Sequence, residues 1–376
     1  MSALTSSAES ADEPAPLRVE AAGAADIPDH AAEIVAGMSL RRKAASVVMG
    51  HIATTDADTL RQYMQSTHVG GFILMGANVP GDEDSLRRLT EAMTLDAALP
   101  PLISIDQEGG DVSRLAWDGF PGAVTLKGEK PAATRDAFLG RGSLVQRAGI
   151  GVNFGIVADV ADGGFMRRRA LGTSPGRAAG RVAAAVDGEA GQVLSTVKHF
   201  PGHGGAAGDS HAGIPTTSMS KSAWRRGEAP PFEAAIQRGV PLLMFGHLRY
   251  RAVDKAPASL SATWHRIARD ELGFTGVSIT DDLGMLEASG LDAYSDPVAN
   301  AVAALRAGND MVLSVMFTTP DTAARLTRGI MAAVRAGRLS EERLDEAATR
   351  VMALRLRLAA EGRGLTPCDG CEPVRD

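Results

Sequence analysis

Thr196–His211 reads TVKHFPGHGGAAGDSH, an apolar strand followed by a glycine-rich loop that carries three histidines, a lysine and an aspartate. Pro201 and the glycines that follow it exclude a helix, so the loop leaves the end of a strand. Asp209 and His211 point the same way in an extended chain, which lets the carboxylate orient the imidazole and raise its basicity. The stretch therefore predicts a proton-transfer pair on a mobile loop after a buried strand.

Outward from this strand, short apolar runs alternate with helical patterns in both directions along the chain. Counting the strand itself, there are eight such runs. They are Val47–Ile52, Gly70–Met75, Leu102–Asp106, Gly151–Val160, Leu194–His199, Leu242–His247, Val277–Asp281 and Asp310–Val315. Strands separated by helices pair in parallel through right-handed crossovers, and eight of them favour a closed barrel over an open sheet. The predicted fold is α/β, a single (β/α)8 TIM barrel.

Helical patterns fill most of the gaps between these strands, and several end at a glycine. They are Glu83–Ala98, Arg135–Ala148, Ser174–Gln192, Ser220–Arg238, Ser261–Leu272 and Pro297–Ala307. Two further helices, Thr319–Ala336 and Ser340–Ala360, follow the eighth strand. We expect these two helices to pack outside the barrel and to close it.

Length and charge limit the domain organisation and the partners. A chain of 376 residues could form two domains, but a single α/β barrel also reaches this size, and the strand–helix alternation is the one pattern present. We therefore assign residues 30–362 to one barrel domain, residues 1–29 to a disordered leader and residues 363–376 to a flexible tail. The net charge of −6 offers no basic surface, so we do not expect a nucleic-acid partner.

The two ends of the chain carry few signals. The leader lacks the basic start and the apolar run of a signal peptide, and no apolar run reaches about eighteen residues, so we expect a cytoplasmic protein without a membrane span. Cys368 and Cys371 form a lone CxxC in the tail, which supplies at most half a zinc site. An unstructured tail with two thiols is the simpler interpretation, and a disulfide or a metal shared with another chain is the alternative.

Polar residues mark the C-terminal ends of the predicted strands. Asp106, Asp159, Lys198, His199, His247 and Asp281 hold these positions. Active sites of (β/α)8 barrels lie on the face that these strand ends form. We therefore expect the six side chains to surround one site.

Two of these strand ends have recognisable chemistry. In ITDDLGM, residues 279–285, Asp281 is suited to act as a nucleophile or base, whereas Asp282 could be only a helix N-cap. In IDQEGGDVSRL, residues 105–115, Asp106 and Arg114 place a carboxylate and a guanidinium on one rim, an arrangement that binds vicinal hydroxyls of a sugar. An ordinary βα turn is the alternative for the second motif.

Five motifs together resemble glycoside hydrolase family 3. They are KHFPGHG with the downstream DSH, DQEGG followed by an arginine, RALGTSP, PASLS and TDDLGM, within a match from about Met38 to about Leu354. Inside the family the chain is most similar to single-domain bacterial β-N-acetylglucosaminidases that recycle cell-wall sugars. The resemblance implies a retaining glycosidase that acts on terminal β-linked N-acetylglucosamine or a related sugar, with no metal and no other cofactor.

The resemblance also implies roles for residues at matching positions. Asp281 matches the nucleophile that forms a covalent glycosyl-enzyme. His211, oriented by Asp209, matches an acid/base dyad on a flexible loop, where other retaining glycosidases use a carboxylic acid. Substrate binding is implied for Asp106, Arg114, Arg169, Lys198, His199 and, near the sugar face, His247.

Four departures from the family pattern surround the expected pocket. Gly205 and Ala206 stand where the family has an aspartate and a threonine, and Asp111 replaces an arginine. Residues 162–168 form a shorter and more basic segment, and Leu171 replaces an aromatic residue. We expect hydrolysis to survive these changes, whereas the accepted sugar could differ. The arginines at 167–169 are candidates to bind an anionic group on the substrate.

Three other functions stay open. A glycoside phosphorylase of the same fold would let inorganic phosphate, in place of water, attack the glycosyl-enzyme. A metallohydrolase would use His199, His203, His211 and Asp209 as zinc ligands. A sugar-binding protein would have lost catalysis altogether. The sequence also leaves open the exact sugar, the aglycone and the oligomeric state.

Overall fold

A closed barrel of eight parallel strands forms the centre of the computed structural model, which describes residues 27–206 and 208–362. The strands are β1 Val48–Gly50, β2 Gly71–Leu74, β3 Leu102–Ile105, β4 Val152–Val157, β5 Leu194–Phe200, β6 Leu242–Phe245, β7 Val277–Asp282 and β8 Met311–Leu313. Strand β1 pairs with β2 and also with β8, where Val48 lies opposite Val312, and this pairing closes the barrel. Each predicted run overlaps one of these strands, and β5 and β7 extend one residue beyond their runs, so the predicted barrel is confirmed.

Helices surround the barrel and alternate with its strands. They are α1 Ile27–Ala36, α2 Leu40–Ser46, α3 Ala57–Thr67, α4 Glu83–Met93, α5 Ala123–Leu126, α6 Pro131–Arg147, α7 Pro175–Glu189, α8 Lys221–Gly227, α9 Ala229–Gln237, α10 Ala262–Arg266, α11 Gly284–Ala288, α12 Pro297–Ala307, α13 Thr322–Arg335 and α14 Glu341–Ala360. Short 3-10 turns lie at Gly76–Asn78, Phe165–Arg168, Ala258–Leu260 and Asp292–Tyr294, and a π turn covers Ile267–Glu271. A separate ribbon pairs Thr216–Thr217 with Arg249–Tyr250.

Some helix boundaries differ from the predicted ones for identifiable reasons. The predicted helix Ser220–Arg238 is two helices, α8 and α9, because Pro230 and Pro231 have no N–H to donate to the preceding turn. Helix α3 was not predicted, although its buried Leu60 and Met64 follow the helical spacing. Two further patterns are shorter as α-helices, since α4 ends at residue 93 and α10 passes into the π turn at residue 267.

The predicted leader boundary needs one correction. Helix α1 begins at Ile27, so residues 27–29 are helical and do not belong to a disordered leader. The rest of the predicted leader, residues 1–26, and the predicted tail with both cysteines lie outside the described residues. In residues 27–206 and 208–362, every helix is too short or too polar to span a bilayer.

Aliphatic and methionine side chains, together with Phe154, fill the inside of the barrel. The strands contribute Met49, Ile73, Leu102, Val152, Phe154, Leu194, Leu242, Met244, Val277, Ile279, Met311 and Leu313 to one buried cluster. Val351, Leu354 and Leu358 of α14 join the same cluster, and Leu358 packs against Gly151 at the start of β4. Helix α14 therefore closes the end of the barrel at which the strands begin, and the opposite end is left for a site.

Candidate active site

Seven of the nine predicted site residues line one cavity of about 510 Å³ at the C-terminal end of the strands. They are Asp106, Arg114, Arg169, Lys198, His199, His211 and Asp281. Parallel strands bring these side chains together because all of the strands end on the same face. The cavity also has apolar walls, which include Val112, Phe165, Met285 and Met316.

Asp281 is the next-to-last residue of β7 and presents a carboxylate to the cavity. Its Oδ1 accepts the backbone N–H of Asp282 at 2.8 Å, and its Oδ2 lies 3.9 Å from His199 Nε2. Burial acts to raise the pKa of this carboxyl, but the backbone N–H of Asp282 and the positive charge of Lys198 act against burial, and the pKa lies below its usual value. The carboxylate is therefore ionised at neutral pH, as a nucleophile must be.

Asp282, the neighbouring carboxylate, ties two loops together. Its Oδ1 accepts the backbone N–H groups of Gly284 at 3.0 Å and Val315 at 2.8 Å. Its Oδ2 accepts that of Met316 at 2.8 Å. Asp282 therefore caps the turn into α11 and holds the loop after β8, which leaves Asp281 as the carboxylate available for chemistry.

Lys198 lies between two carboxylates, the partly exposed Asp106 and the buried Glu108. Its Nζ is 2.7 Å from Asp106 Oδ1 and 2.8 Å from Glu108 Oε1. Glu108 also binds Arg169 through both of its oxygens, at 2.7 and 3.0 Å, and Arg114 lies 3.8 Å from Asp106. Burial acts to raise the pKa of both carboxyls, but Lys198 and the neighbouring arginines hold both pKa values below their usual range. One wall of the cavity is thus a fixed network of alternating charges.

His199 is joined to Lys198 by a cis peptide bond, and both side chains line the cavity. His199 Nδ1 lies 2.8 Å from Oδ2 of Asp159, whose pKa burial raises to about 6. Burial also lowers the pKa of His199 well below its usual value, so the ring is neutral. Because the carboxylate accepts the Nδ1 proton, Nε2 is an acceptor. His199 can therefore accept a hydrogen bond from a substrate hydroxyl group.

Asp209 and His211 are in contact on the loop after β5. His211 Nδ1 lies 2.7 Å from Asp209 Oδ1. Because the carboxylate can only accept, Nδ1 carries a proton and Nε2 is the nitrogen available for proton transfer. Both side chains are about half exposed, at 54% for His211 and 43% for Asp209. His211 lines the cavity, whereas Asp209 is not among the lining residues, and the acid/base role of this pair stays a prediction.

His247 forms a hydrogen bond with each of its ring nitrogens. Its ring is buried, its Nε2 donates to the carbonyl oxygen of Asp282 at 2.8 Å, and its Nδ1 accepts from the Ser259 hydroxyl at 2.7 Å. Both ring nitrogens are occupied, and the hydrogen bond to Asp282 supports the end of β7, which carries Asp281. A contact of His247 with the sugar stays a prediction.

The zinc-site interpretation of the loop histidines finds no geometric support. Within residues 27–206 and 208–362, no three or more His, Cys, Asp and Glu side chains are arranged to hold a metal ion. The rings of His199 and His203 lie 6.3 Å apart, and Asp159 accepts the Nδ1–H of the first and the backbone N–H of the second. These contacts hold the start of the loop in place.

Comparisons with known proteins identify the family of the chain. Residues 39–354 match the family model of the glycosyl hydrolase family 3 N-terminal domain. The chain belongs to glycosyl hydrolase family 3. It is 32% identical over 296 residues to a β-hexosaminidase of Idiomarina loihiensis, across 72% of this chain and 88% of that protein. It is 34% identical over 264 residues to a β-hexosaminidase of Pseudomonas aeruginosa, across 67% of this chain and 77% of that protein.

The fold of this family 3 chain also matches a solved structure. A glycoside hydrolase family 3 β-N-acetylglucosaminidase from Paenibacillus sp. str. FPU-7 superposes with a TM-score of 0.81 at 34% identity. The match covers 90% of this chain and 66% of that longer chain. The protein is thus an O-glycosyl hydrolase, as the motifs predicted.

The structure shows the contacts around two of the positions that depart from the family 3 pattern. Asp111, which stands in place of an arginine, forms a two-point ion pair with Arg168 at 2.6 and 2.9 Å. At Gly205, an added Cβ would lie 2.9 Å from Met219 Cε and 3.3 Å from Glu228 Oε1. The family aspartate would have to displace Met219 there and would bring a second carboxylate toward Glu228.

Three residues of this family 3 site carry contacts that the sequence did not reveal. Glu108 lies two residues after Asp106 in a quoted motif, and that spacing was the available signal for a second carboxylate on the same side of the chain. Asp159 was recognised as a strand end but not as the partner of His199. Phe165 lies in the divergent segment, and no local pattern marked its ring as a wall of the cavity.

Proposed function

We propose that the protein is a retaining β-N-acetylhexosaminidase that releases terminal β-linked N-acetylglucosamine, or a related sugar, through a covalent glycosyl-enzyme on Asp281. The observation that carries the proposal is that an ionised Asp281 and a His211 bound to Asp209 border the same cavity. The two relatives named β-hexosaminidase support the substrate class.

In the first step, the Asp281 carboxylate attacks the anomeric carbon while the bond from that carbon to the leaving oxygen breaks. Protonated His211 donates its Nε2 proton to the leaving oxygen. Positive charge develops at the anomeric carbon in the transition state, and a fixed carboxylate beside this carbon lowers the energy of that state. The products are a glycosyl ester on Asp281 and the free aglycone.

In the second step, neutral His211 accepts a proton from water as the water oxygen attacks the anomeric carbon. The ester bond to Asp281 breaks, and the carboxylate is restored. Asp209 keeps Nδ1 protonated throughout, so the same Nε2 serves as acid and then as base. Two inversions at one carbon leave the sugar with the configuration of the substrate.

Sugar binding fits the charged wall of the cavity. Asp106 and Arg114 have partly open side chains, with exposed fractions of 17% and 29%, against 2% for Lys198. We therefore assign the main hydroxyl contacts to Asp106 and Arg114. Lys198 has three N–H donors and uses two on Asp106 and Glu108, so one stays available for a sugar oxygen.

Trapping of the intermediate tests the assignment of the nucleophile. A ring-fluorinated N-acetylglucosaminyl substrate with an activated leaving group slows the second step more than the first. The glycosyl-enzyme should then accumulate and raise the intact mass by one sugar, and peptide mapping should place this sugar on Asp281. An adduct on a different residue, or wild-type turnover by Asp281→Ala, would refute the assignment.

A phosphorylase of the same fold is the second candidate, because a neutral imidazole base repels inorganic phosphate less than a carboxylate would. Nitrophenol release from the aryl β-N-acetylglucosaminide and the aryl β-glucoside separates the two functions. We expect turnover of the first substrate in phosphate-free buffer, with free sugar as the product. Turnover that requires phosphate and yields a sugar 1-phosphate would favour the phosphorylase, and binding without turnover would favour a sugar-binding protein.

We place this activity in the cytoplasm, in the recycling of cell-wall sugars, on the strength of the family resemblance alone. Fractionation of the native cells should then recover the activity with cytoplasmic markers. Deletion of the gene should cause fragments with terminal N-acetylglucosamine to accumulate. Activity found with the envelope or the medium, or no accumulation, would contradict this placement.

A further inference from the structure

Phe165 is an exposed aromatic side chain on the wall of the cavity. Six large apolar side chains are exposed in the part of the chain that the structure describes, and Phe165, at 42%, is the one among them that lines the cavity. It begins a 3-10 turn whose other apolar residue, Met166, is 2% exposed and packs with Val157 and Ala170. Met166 therefore anchors the turn to the core, and the exposed ring of Phe165 is not part of that packing.

The ring of Phe165 lies beside the proposed proton donor. Its centroid is 5.9 Å from that of His211 in an edge-to-face arrangement, and 5.8 Å from that of His203. Cζ of Arg169 lies 5.7 Å over the ring. Because His211 protonates the leaving oxygen in the proposed mechanism, exposed groups next to it face the leaving group. Phe165 thus stands where the aglycone emerges from the sugar site.

The charges of the same segment already have partners. Arg168 binds Asp111, and Arg169 binds Glu108. The hydrogen bond from Arg168 holds the pKa of Asp111 below its usual value, so this pair is ionised. Two of the three arginines that were candidates for an anionic group on the substrate therefore attract a further anion less strongly. An apolar contact through Phe165 is the chemistry that this wall still offers.

We propose that Phe165 forms the aglycone subsite and selects glycosides whose aglycone presents a flat apolar face, either an aromatic ring or the C–H face of a second sugar. This inference rests on the proposed function, because His211 marks the side on which the leaving group departs. Aromatic contacts of this kind change kcat/KM by about 3- to 10-fold.

Three substrates with the same sugar test the subsite. N-Acetylglucosaminyl fluoride has no aglycone body. The 4-nitrophenyl β-N-acetylglucosaminide has a flat aglycone that leaves with little proton donation, and the β-1,4-linked disaccharide of N-acetylglucosamine has a sugar aglycone that needs a proton. Phe165→Ala should lower kcat/KM by about 3- to 10-fold for the nitrophenyl glycoside and at least as much for the disaccharide, and should leave the fluoride unchanged. Phe165→Tyr keeps the ring and should restore both losses.

Other outcomes overturn the proposal. A loss confined to the disaccharide would make Phe165 a positioning residue for His211, since only that leaving group depends strongly on the acid. A loss that includes the fluoride would mean that the substitution damages the whole active site. No loss on any substrate would mean that Phe165 does not form an aglycone subsite.

Phe317→Ala is the matched control for the loss of an exposed ring. Phe317 is 66% exposed and lies outside the cavity wall, so this variant should match the wild type on all three substrates. A wild type that cleaves none of the substrates would contradict the proposed function itself. If the wild type cleaves the fluoride, the Phe165→Ala variant tests whether Phe165 forms the aglycone subsite.

Discussion

His211 Nδ1 lies 2.7 Å from Asp209 Oδ1, and the same oxygen accepts the backbone N–H of His211 at 2.9 Å. The carboxylate and the imidazole hold each other within one short loop, so the loop can carry both without breaking their contact. Asp281, by contrast, is fixed at the end of a barrel strand. The proposed mechanism therefore combines a nucleophile on a barrel strand with an acid/base group on a loop that can move as a unit.

The contact between Asp209 and His211 predicts that substitutions at these two positions have non-additive effects on kcat/KM. An amide at position 209 accepts the Nδ1–H more weakly and stabilises the imidazolium less, so Asp209→Asn should lower kcat/KM, by less than His211→Ala does. The double variant Asp209→Asn/His211→Ala should be no slower than His211→Ala alone. Steady-state kinetics on a single substrate measure all three, and additive losses would mean that Asp209 acts elsewhere.

His211→Ala should affect poor leaving groups most. We expect a loss of about 10²- to 10⁴-fold in kcat/KM for the disaccharide and a smaller loss for the nitrophenyl glycoside, because nitrophenolate departs without a proton. A series of aryl glycosides with graded leaving-group pKa values provides the measurement. Equal losses along that series would contradict the acid role.

The adjacent aspartates should separate activity from stability. Asp281→Asn should remove nearly all turnover with little change in thermal unfolding, because its carboxylate accepts one backbone N–H, from Asp282. Asp282→Asn should lower the free energy of unfolding by about 1–3 kcal/mol, because its carboxylate accepts three backbone N–H groups. Thermal melts measure the stability of both variants, and nitrophenol release measures their turnover. Loss of turnover in Asp282→Asn together with loss of stability in Asp281→Asn would contradict the two assignments.

Glu108→Gln should damage both binding and stability. The change leaves the largely buried Arg169 without its carboxylate partner, and breaking a buried pair costs about 3–5 kcal/mol of unfolding free energy. KM should rise as well, because Glu108 also holds Lys198. Glu83→Gln is the matched control, since Glu83 binds the buried Arg147 away from the cavity and its loss should lower stability without changing KM. Equal KM values for both variants would contradict a role for Glu108 in the site.

Glu228 should make stability depend on pH. Burial, with Asp159 nearby, raises the pKa of Glu228 from 4.5 to about 8. Between these values the folded protein keeps a proton that the unfolded chain releases, so the free energy of unfolding falls as pH rises through this window. Glu228→Gln has no proton to lose, so its thermal midpoint relative to the wild type should rise from about pH 5 to about pH 9. If the difference in thermal midpoint between Glu228→Gln and the wild type stays constant over this pH range, Glu228 is ionised in the folded state.

The strand pattern was predictable because burial on both faces leaves a continuous apolar run. All eight runs overlap a barrel strand, and β1 covers three residues, Val48–Gly50, of the six predicted at Val47–Ile52. Helix ends were less predictable, since the break at residue 228 depends on two prolines inside an otherwise helical pattern. Helix α3 was missed because most of its side chains are polar.

The site residues were predictable as positions but not always as contacts. A strand end places a residue on the active face, yet it does not decide where the side chain turns. Asp281 turns into the cavity, whereas His247 turns into the wall and binds Ser259 and the carbonyl group of Asp282. Local spacing predicted the contact of Asp209 with His211 because the two residues share one loop.

The sequence by itself determined the barrel, the family and the candidate catalytic residues, because periodicity and motif spacing are properties of neighbouring residues. Only the tertiary structure decided that Lys198 reaches Asp106 across 92 positions of the chain and that Arg169 reaches Glu108 across 61. It also decided that Phe165 meets His211. Such contacts depend on how separate loops pack over the barrel, and no local pattern encodes that packing.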